Sequence, residues 1–190
     1  MSHARLFAVA AVFLAACGSQ APTTTLGRLP DPKAIAPDAQ VLVYASPAEG
    51  LRLSYPRDWV PQERFMGTVV AFFSPLAGQS DLFSENVNLV TDRLDRPVTV
   101  EQYSRASLQP LARVIAGFEL IEEGEGTLAE RPARYIKFTG RQGGLELTWL
   151  QLLTVEGEQA LVLSYTGADQ YEDFLGHALW MAGSVEFTAD

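Results

Sequence analysis

ARYIKFTGRQGGLELTWLQLLTVEGEQALVLSYTG (residues 133–167) is the stretch that decides the fold. Two short pairs interrupt it, Gly143-Gly144 and Glu156-Gly157. Glycine reaches positive φ at no steric cost, so each pair reads as a tight hairpin turn. Strands joined this closely must run antiparallel. The middle strand, Leu145 to Val155, is apolar on both faces: Leu147, Trp149 and Leu153 on one, Leu150 and Leu152 on the other. A strand of that kind needs a packed layer on each side.

Further strands lie upstream. Val41 to Tyr44 is a short apolar run. GLRLSYP (50–56) alternates Leu51, Leu53 and Tyr55 against Arg52 and Ser54, and Pro56 stops it. TVVAFFSP (68–75) adds another, closed by Pro75. ENVNLVTDRL (85–94) sets Val87, Leu89 and Thr91 against Asn86, Asn88 and Val90. FELIEEG (118–124) begins the next ladder.

Two helices can supply the cover. The first is expected to start at Thr99, with Gln102 completing a capping box and Val98 and Tyr103 at staple positions. Tyr103, Ser107, Leu111 and Val114 fall on one face. Pro110 lies inside this pattern and predicts a kink or an early break, with Gly117 ending the run. The second helix is expected from about Asp169, with Glu172 as its box partner. Its apolar face is Tyr171, Phe174, Leu175, Ala178 and Met181, Gly183 ends it, and SVEF (184–187) returns as a last strand. The expected class is α+β: one antiparallel sheet of about six to seven strands flanked by helices.

The N-terminus reads as an export signal. Arg5, the terminal amine and His3 form a short positive region ahead of an uncharged run, Leu6 to Ala16. A run of eleven residues is too short for a bilayer, which takes about 20, and fits the h-region of a signal peptide. The segment Leu14-Ala15-Ala16-Cys17 resembles the lipobox of bacterial lipoproteins. That resemblance implies lipidation of Cys17 and cleavage between Ala16 and Cys17; the alternative is an ordinary secretory signal with an incidental cysteine. Cys17 is the one cysteine of the chain, so no intramolecular disulfide is expected. Gly18 to Gln40, with Pro22, Pro30, Pro32 and Pro37, reads as a tether. Its 23 residues reach about 76 Å extended and about 26 Å as a coil, enough to hold a domain off a membrane surface. The division is therefore 1–16 signal peptide, 17–40 lipidated cysteine and tether, and 41–190 one domain. Gly18 replaces the aspartate that marks inner-membrane retention of lipoproteins in some two-membrane bacteria, so the outer membrane is expected in such a host.

Removing residues 1–16 takes away one arginine and no acid, moving the formal charge from −9 to −10. Such a domain is a poor nucleic-acid partner. It repels anionic headgroups as well, so the acyl chains must supply membrane affinity.

LSYPRDWV (53–60), VVAFFSP (69–75) and DLFSENVNLV (81–90) stand in a recognisable order. TVEQYSRASLQPLARVIAGFELIE (99–122), RPARYIKFTG (131–140), LTWLQLLTV (147–155) and LVLSYTG (161–167) follow. This series resembles the PsbP/DcrB-type family of bacterial lipoproteins over about residues 50–188. The resemblance implies a three-layer α/β/α sandwich. In photosynthetic members that domain is a non-enzymatic accessory of the oxygen-evolving photosystem; elsewhere it has mostly undefined envelope roles. Fold alone does not transfer the photosystem role.

Little chemistry is visible beside this. His177, the one histidine left after residues 1–16, shares a helix face with Asp173 and Trp180 and reads as a solvated or edge residue. No Gly-x-Ser-x-Gly elbow, P-loop, dinucleotide fingerprint, EF-hand or zinc spacing is present. Two acidic groups stand out: Glu119, Glu122, Glu123 and Glu125, and Asp81, Glu85, Asp92 and Asp95. Either could meet a divalent cation, but charges along a strand edge also block aggregation, and that reading is favoured. Trp59 is expected to pack in the core or over a sheet edge, and Asn86 and Asn88 to satisfy loop backbone groups or line a small polar cleft. No catalytic residue, cofactor or metal site is assigned. The leading expectation is a membrane-anchored, non-catalytic module binding an envelope protein. A small-ligand carrier comes second and a carboxylate-based hydrolase last.

Overall fold

A computed structural model describes residues 40–76, 78, 81–169 and 171–188. The expected signal peptide, with Ala16 and Cys17, and the expected tether up to residue 39 lie outside the described residues. In chain order the elements are β1 (Val41–Ser46), β2 (Leu51–Pro56), β3 (Val60–Glu63), β4 (Val70–Phe73) and β5 (Asn86–Arg93). Then come α1 (Val100–Val114), β6 (Ala116–Leu128), β7 (Arg131–Gln142), β8 (Leu145–Glu156), β9 (Gln159–Gly167), α2 (Tyr171–Gly183) and β10 (Glu186–Phe187).

Seven strands form one antiparallel sheet, in the order β3-β4-β5-β9-β8-β7-β6. The turn after β7 is as expected: Gln142 pairs with Leu145, and Gly143 and Gly144 both have positive φ. Glu156 pairs with Gln159 across the turn that contains Gly157, also at positive φ. The class is the expected α+β sandwich, but β1, β2 and β10 split off as a second, three-stranded sheet. β2 turns Leu51, Leu53 and Tyr55 into the main core while β1 and β10 flank it. A strand buried on one face in this way does not need to join the main sheet.

The two faces of β8 are covered by different partners. Leu147, Trp149 and Leu153 pack with Ile136 and Phe138 under Tyr103, Leu108, Leu111 and Ile115 of α1 and its cap. The rings of Phe138 and Trp149 are stacked 5.2 Å apart. Leu150 and Leu152 face the larger core, which α2 closes with Tyr171, Ala178, Leu179, Met181 and Ala182. Each large apolar side chain buried there contributes about 1.5–3 kcal/mol.

Helix α1 begins as its sequence dictates. Gln102 N–H donates to Thr99 Oγ1 at 3.3 Å, and Thr99 N–H donates to Gln102 Oε1 at 3.0 Å. Two expectations fail. The early break at Pro110 does not occur: the helix continues to Val114, because the packing of Leu108, Leu111 and Ile115 outweighs one lost backbone bond. It stops at Val114, and Gly117 sits inside β6 at positive φ, beside a register shift. Val114 is 55% exposed; Ile115, whose N–H donates to Leu111 O, takes its place in the core. Helix α2 starts at Tyr171, so Asp169 and Glu172 do not stand as cap and third helical residue.

Ile115 also explains Gly140. A Cβ at position 140 would lie 2.3 Å from Ile115 Cγ2 and 3.2 Å from Ala116 O. Gly140→Ala must push the α1 terminus off the sheet and is expected to cost about 1–3 kcal/mol. Urea denaturation should show a lower midpoint with an unchanged slope; an unchanged midpoint would mean that this junction is loosely packed.

Candidate functional site

The polar features lie at the two ends of the main sheet. β5 separates them: its eight residues span about 24 Å. Asp81 and Glu85 precede it and Asp92 and Asp95 lie at or beyond its far end, so the expected four-acid group is two unrelated pairs.

At the β5 entry, Glu85 is 1% exposed. Its backbone carbonyl accepts from Ser74 N–H at 2.8 Å, and its Oε1 accepts from Ala168 N–H at 3.3 Å. This ties the β4–β5 connection to the β9–α2 junction. Gly167 makes the approach possible: a Cβ there would sit 2.8 Å from Tyr171 Cα and 3.2 Å from Glu85 Cγ. Glu85 Oε2 and Ser74 Oγ are both buried, and the Ser74 hydroxyl favours the charged form of the Glu85 carboxyl. Burial pushes the Glu85 carboxyl above the usual glutamate range, the amides of Glu85 and Ala168 pull it partly back, and Asp81 adds repulsion. Asn86 and Asn88 share a face as expected: Asn88 Nδ2 donates to Asn86 Oδ1 at 2.9 Å, and Asn86 Nδ2 donates to Ser84 O at 3.3 Å. The pair therefore anchors the loop into β5.

At the other end, Glu49, Thr91, Asp92, Glu156, Glu158 and Phe187 line an open cleft of about 450 Å³. Three of these four carboxylates, Glu49, Asp92 and Glu156, are engaged by neighbours. Thr91 Oγ1 donates to Glu49 Oε2 at 2.7 Å, and Arg131 Nε donates to Glu156 Oε2 at 2.7 Å. The Tyr103 hydroxyl donates to Asp92 Oδ2 at 3.5 Å, and burial raises the pKa of both groups. This is the chemistry of a solvated acidic rim. The space between sheet and α2, where a carrier would hold a ligand, is filled by Tyr165 and Tyr171, whose rings lie 5.0 Å apart, together with Leu163, Leu179 and Met181. Among the described residues, no three or more of His, Cys, Asp and Glu are grouped to hold a metal.

Trp59 is buried, as expected. His177, expected to be solvated or at an edge, is half-buried, with its ring 6.4 Å from Trp59 and 5.9 Å from Phe174. Glu119, Glu122, Glu123 and Glu125 do lie together, along the outer strand β6. Glu122 is half-buried and accepts a 2.5 Å bond from the Tyr135 hydroxyl, whose pKa is pushed up to about 12 by burial and by Glu122.

The tip between β3 and β4 carries a feature that sequence reasoning missed. Arg64 and Met66 both adopt positive φ, at 54° and 47°, and Met66 is 73% exposed while Phe65 packs edge-on against Phe73. Left-handed backbone at non-glycine residues costs about 1–2 kcal/mol per residue and concentrates at working surfaces.

No family model and no curated protein matches the sequence. Solved structures do resemble the fold. LpqN of Mycobacterium tuberculosis, described as involved in cell envelope biogenesis, superposes with a TM-score of 0.58 at 13% identity, over 80% of this chain and 87% of its own. Cyanobacterial PsbP (CyanoP) from Synechocystis sp. PCC 6803 gives 0.57 at 14% identity, over 78% of this chain and 93% of its own. A Pseudomonas aeruginosa protein of unknown function, PA94, described as a putative regulator, gives 0.51 at 14% identity, over 75% and 95%. The chain thus has a PsbP-like α+β fold. Among the described residues no helix is long and apolar enough to cross a membrane.

Glu85 gives a signed prediction. A carboxyl whose folded pKa is raised favours the folded state when protonated, and that contribution is lost as pH rises through the raised value. Glu85→Gln removes the titration. Its melting temperature relative to wild type should rise by about 2–4 °C from pH 4 to pH 7. A difference that stays flat with pH would show that Glu85 is not strained by burial.

Proposed function

We propose that this chain is an extracytoplasmic lipoprotein of the DcrB/PsbP type, cleaved between Ala16 and Cys17 and held to a membrane by lipid on Cys17. Its domain, residues 41–190, acts as a non-catalytic accessory that binds a protein of the envelope. The observation that carries this reading is Leu14-Ala15-Ala16-Cys17 at the end of an h-region, followed by a tether long enough to lift the domain off the surface. Two acyl chains give an anchor that one chain cannot. Gly18 directs the protein to the outer membrane where the host has two membranes. The fold shared with LpqN, a protein of envelope biogenesis, is consistent with this place. The strained tip presenting Met66 supports a binding role, since methionine adapts to partner surfaces. Engaged carboxylates at the cleft weigh against acid–base chemistry there.

The test compares wild type with Cys17→Ser in intact cells by chemical crosslinking and membrane fractionation. Wild type should sediment with membranes and crosslink reproducibly to one envelope protein. The serine variant should be folded, soluble and free of that crosslink. A serine variant still held by membranes would overturn the anchor, and no reproducible partner would overturn the accessory role.

A further inference from the structure

β6 forms one outer edge of the seven-stranded sheet, and among the described residues no strand pairs with its far side. The opposite edge, β3, is four residues long and contains Pro61, which blunts it. β6 has thirteen residues and no proline or lysine. Its register shifts fall in the first half; from Glu122 to Leu128 it pairs with β7 without interruption, from Lys137 to Arg131. That half offers a straight row of backbone donors and acceptors to another strand. Exposed Leu120 and Ile121 stand at its start, the latter 49% exposed.

The side chains select the strand that fits. Glu123 and Glu125 stand opposite Ile136 and Arg134, on the face that α1 covers further along the sheet. Glu125 has a 3.8 Å contact with Arg134 that leaves it largely exposed. On the other face, Glu122 is followed by Gly124 and Gly126, which bring no side chain of their own. A second copy of β6 would set glutamate against glutamate, a destabilising arrangement. A strand with lysine or arginine on the Glu123 and Glu125 face meets opposite charge there, and its alternate residues, over Gly124 and Gly126, are free to be apolar.

We infer that the β6 edge, residues 122–128, docks an extended segment of a partner protein in which basic and apolar residues alternate. This names the surface and the partner chemistry for the accessory role above, and rests on that reading. The charges that guard the edge against self-pairing are the same charges that admit this partner.

The probe is a capped peptide of about ten residues alternating lysine and valine, with a glutamate/valine peptide of equal length as its counterpart. The readouts are amide exchange across β6 and affinity by fluorescence anisotropy. The lysine peptide should slow exchange of the 122–128 amides and bind about tenfold more weakly once the ionic strength screens contacts beyond a few ångströms. Glu123→Lys with Glu125→Lys, both at exposed positions, should reverse the preference to the glutamate peptide. Unmoved β6 amides, equal affinity for the two peptides, or concentration-dependent dimerisation through β6 would each overturn the inference. None of those outcomes touches membrane retention or the cellular crosslink, so failure here is separable from failure of the proposed function.

Discussion

Burial of β8 on both faces organises the molecule. Trp149 and Leu153 project to one side and Leu150 and Leu152 to the other, and every one of them is buried. No single layer can satisfy such a strand, so α1 must cover one face and α2, with the small sheet, the other. The junctions follow from that demand. Gly140 lets the end of α1 close down on the sheet, and Gly167 lets α2 start immediately beyond β9. The connection that carries Glu85 threads into the second of these gaps. The strain at its carboxyl is thus a consequence of close layers, with Ala168 N–H as partial compensation.

With both faces covered, little of the sheet remains for chemistry. Its ends hold an acidic rim and a buried loop anchor, and its accessible backbone lies at the margins. The proposed role in recognition draws on those margins. β6 offers backbone, charge and exposed aliphatic side chains together, while the β3–β4 tip offers a strained methionine. In the docking proposed for β6, like charge along the strand disfavours self-pairing and admits a strand of opposite charge.

Much of this was legible in the sequence because alternation and capping are local signals. The two-faced pattern of Leu145 to Val155, the Thr99–Gln102 box and the glycine turns at 143–144 and 157 act within a few residues, and the structure follows them. The hairpin between β6 and β7 was invisible for the opposite reason. Ala129 and Glu130 both take positive φ, at 53° and 60°, a conformation neither residue favours. The surrounding ladder, and the burial of Leu128 and Ala129, impose it. Separation of β2 from the main sheet was hidden because alternation reports a buried face without naming the neighbour. Pro110 misled because helix propensity yielded to packing. At the sites, the position of Trp59 after a strand points to the core or to a sheet edge, but its contacts with Phe174 and His177 join segments far apart in the chain. The burial of Glu85 depends on Gly167 and Tyr171 in the same way.

Native-state hydrogen exchange tests the central claim most directly. If a doubly covered β8 holds the fold together, its amides and those of β7 and β9 paired with it exchange only through global unfolding, with the full unfolding free energy. Strands β1, β2 and β10 should open earlier, at lower free energy. Exchange of β8 amides through a smaller, local opening, with β1 and β2 still protected, would contradict the account.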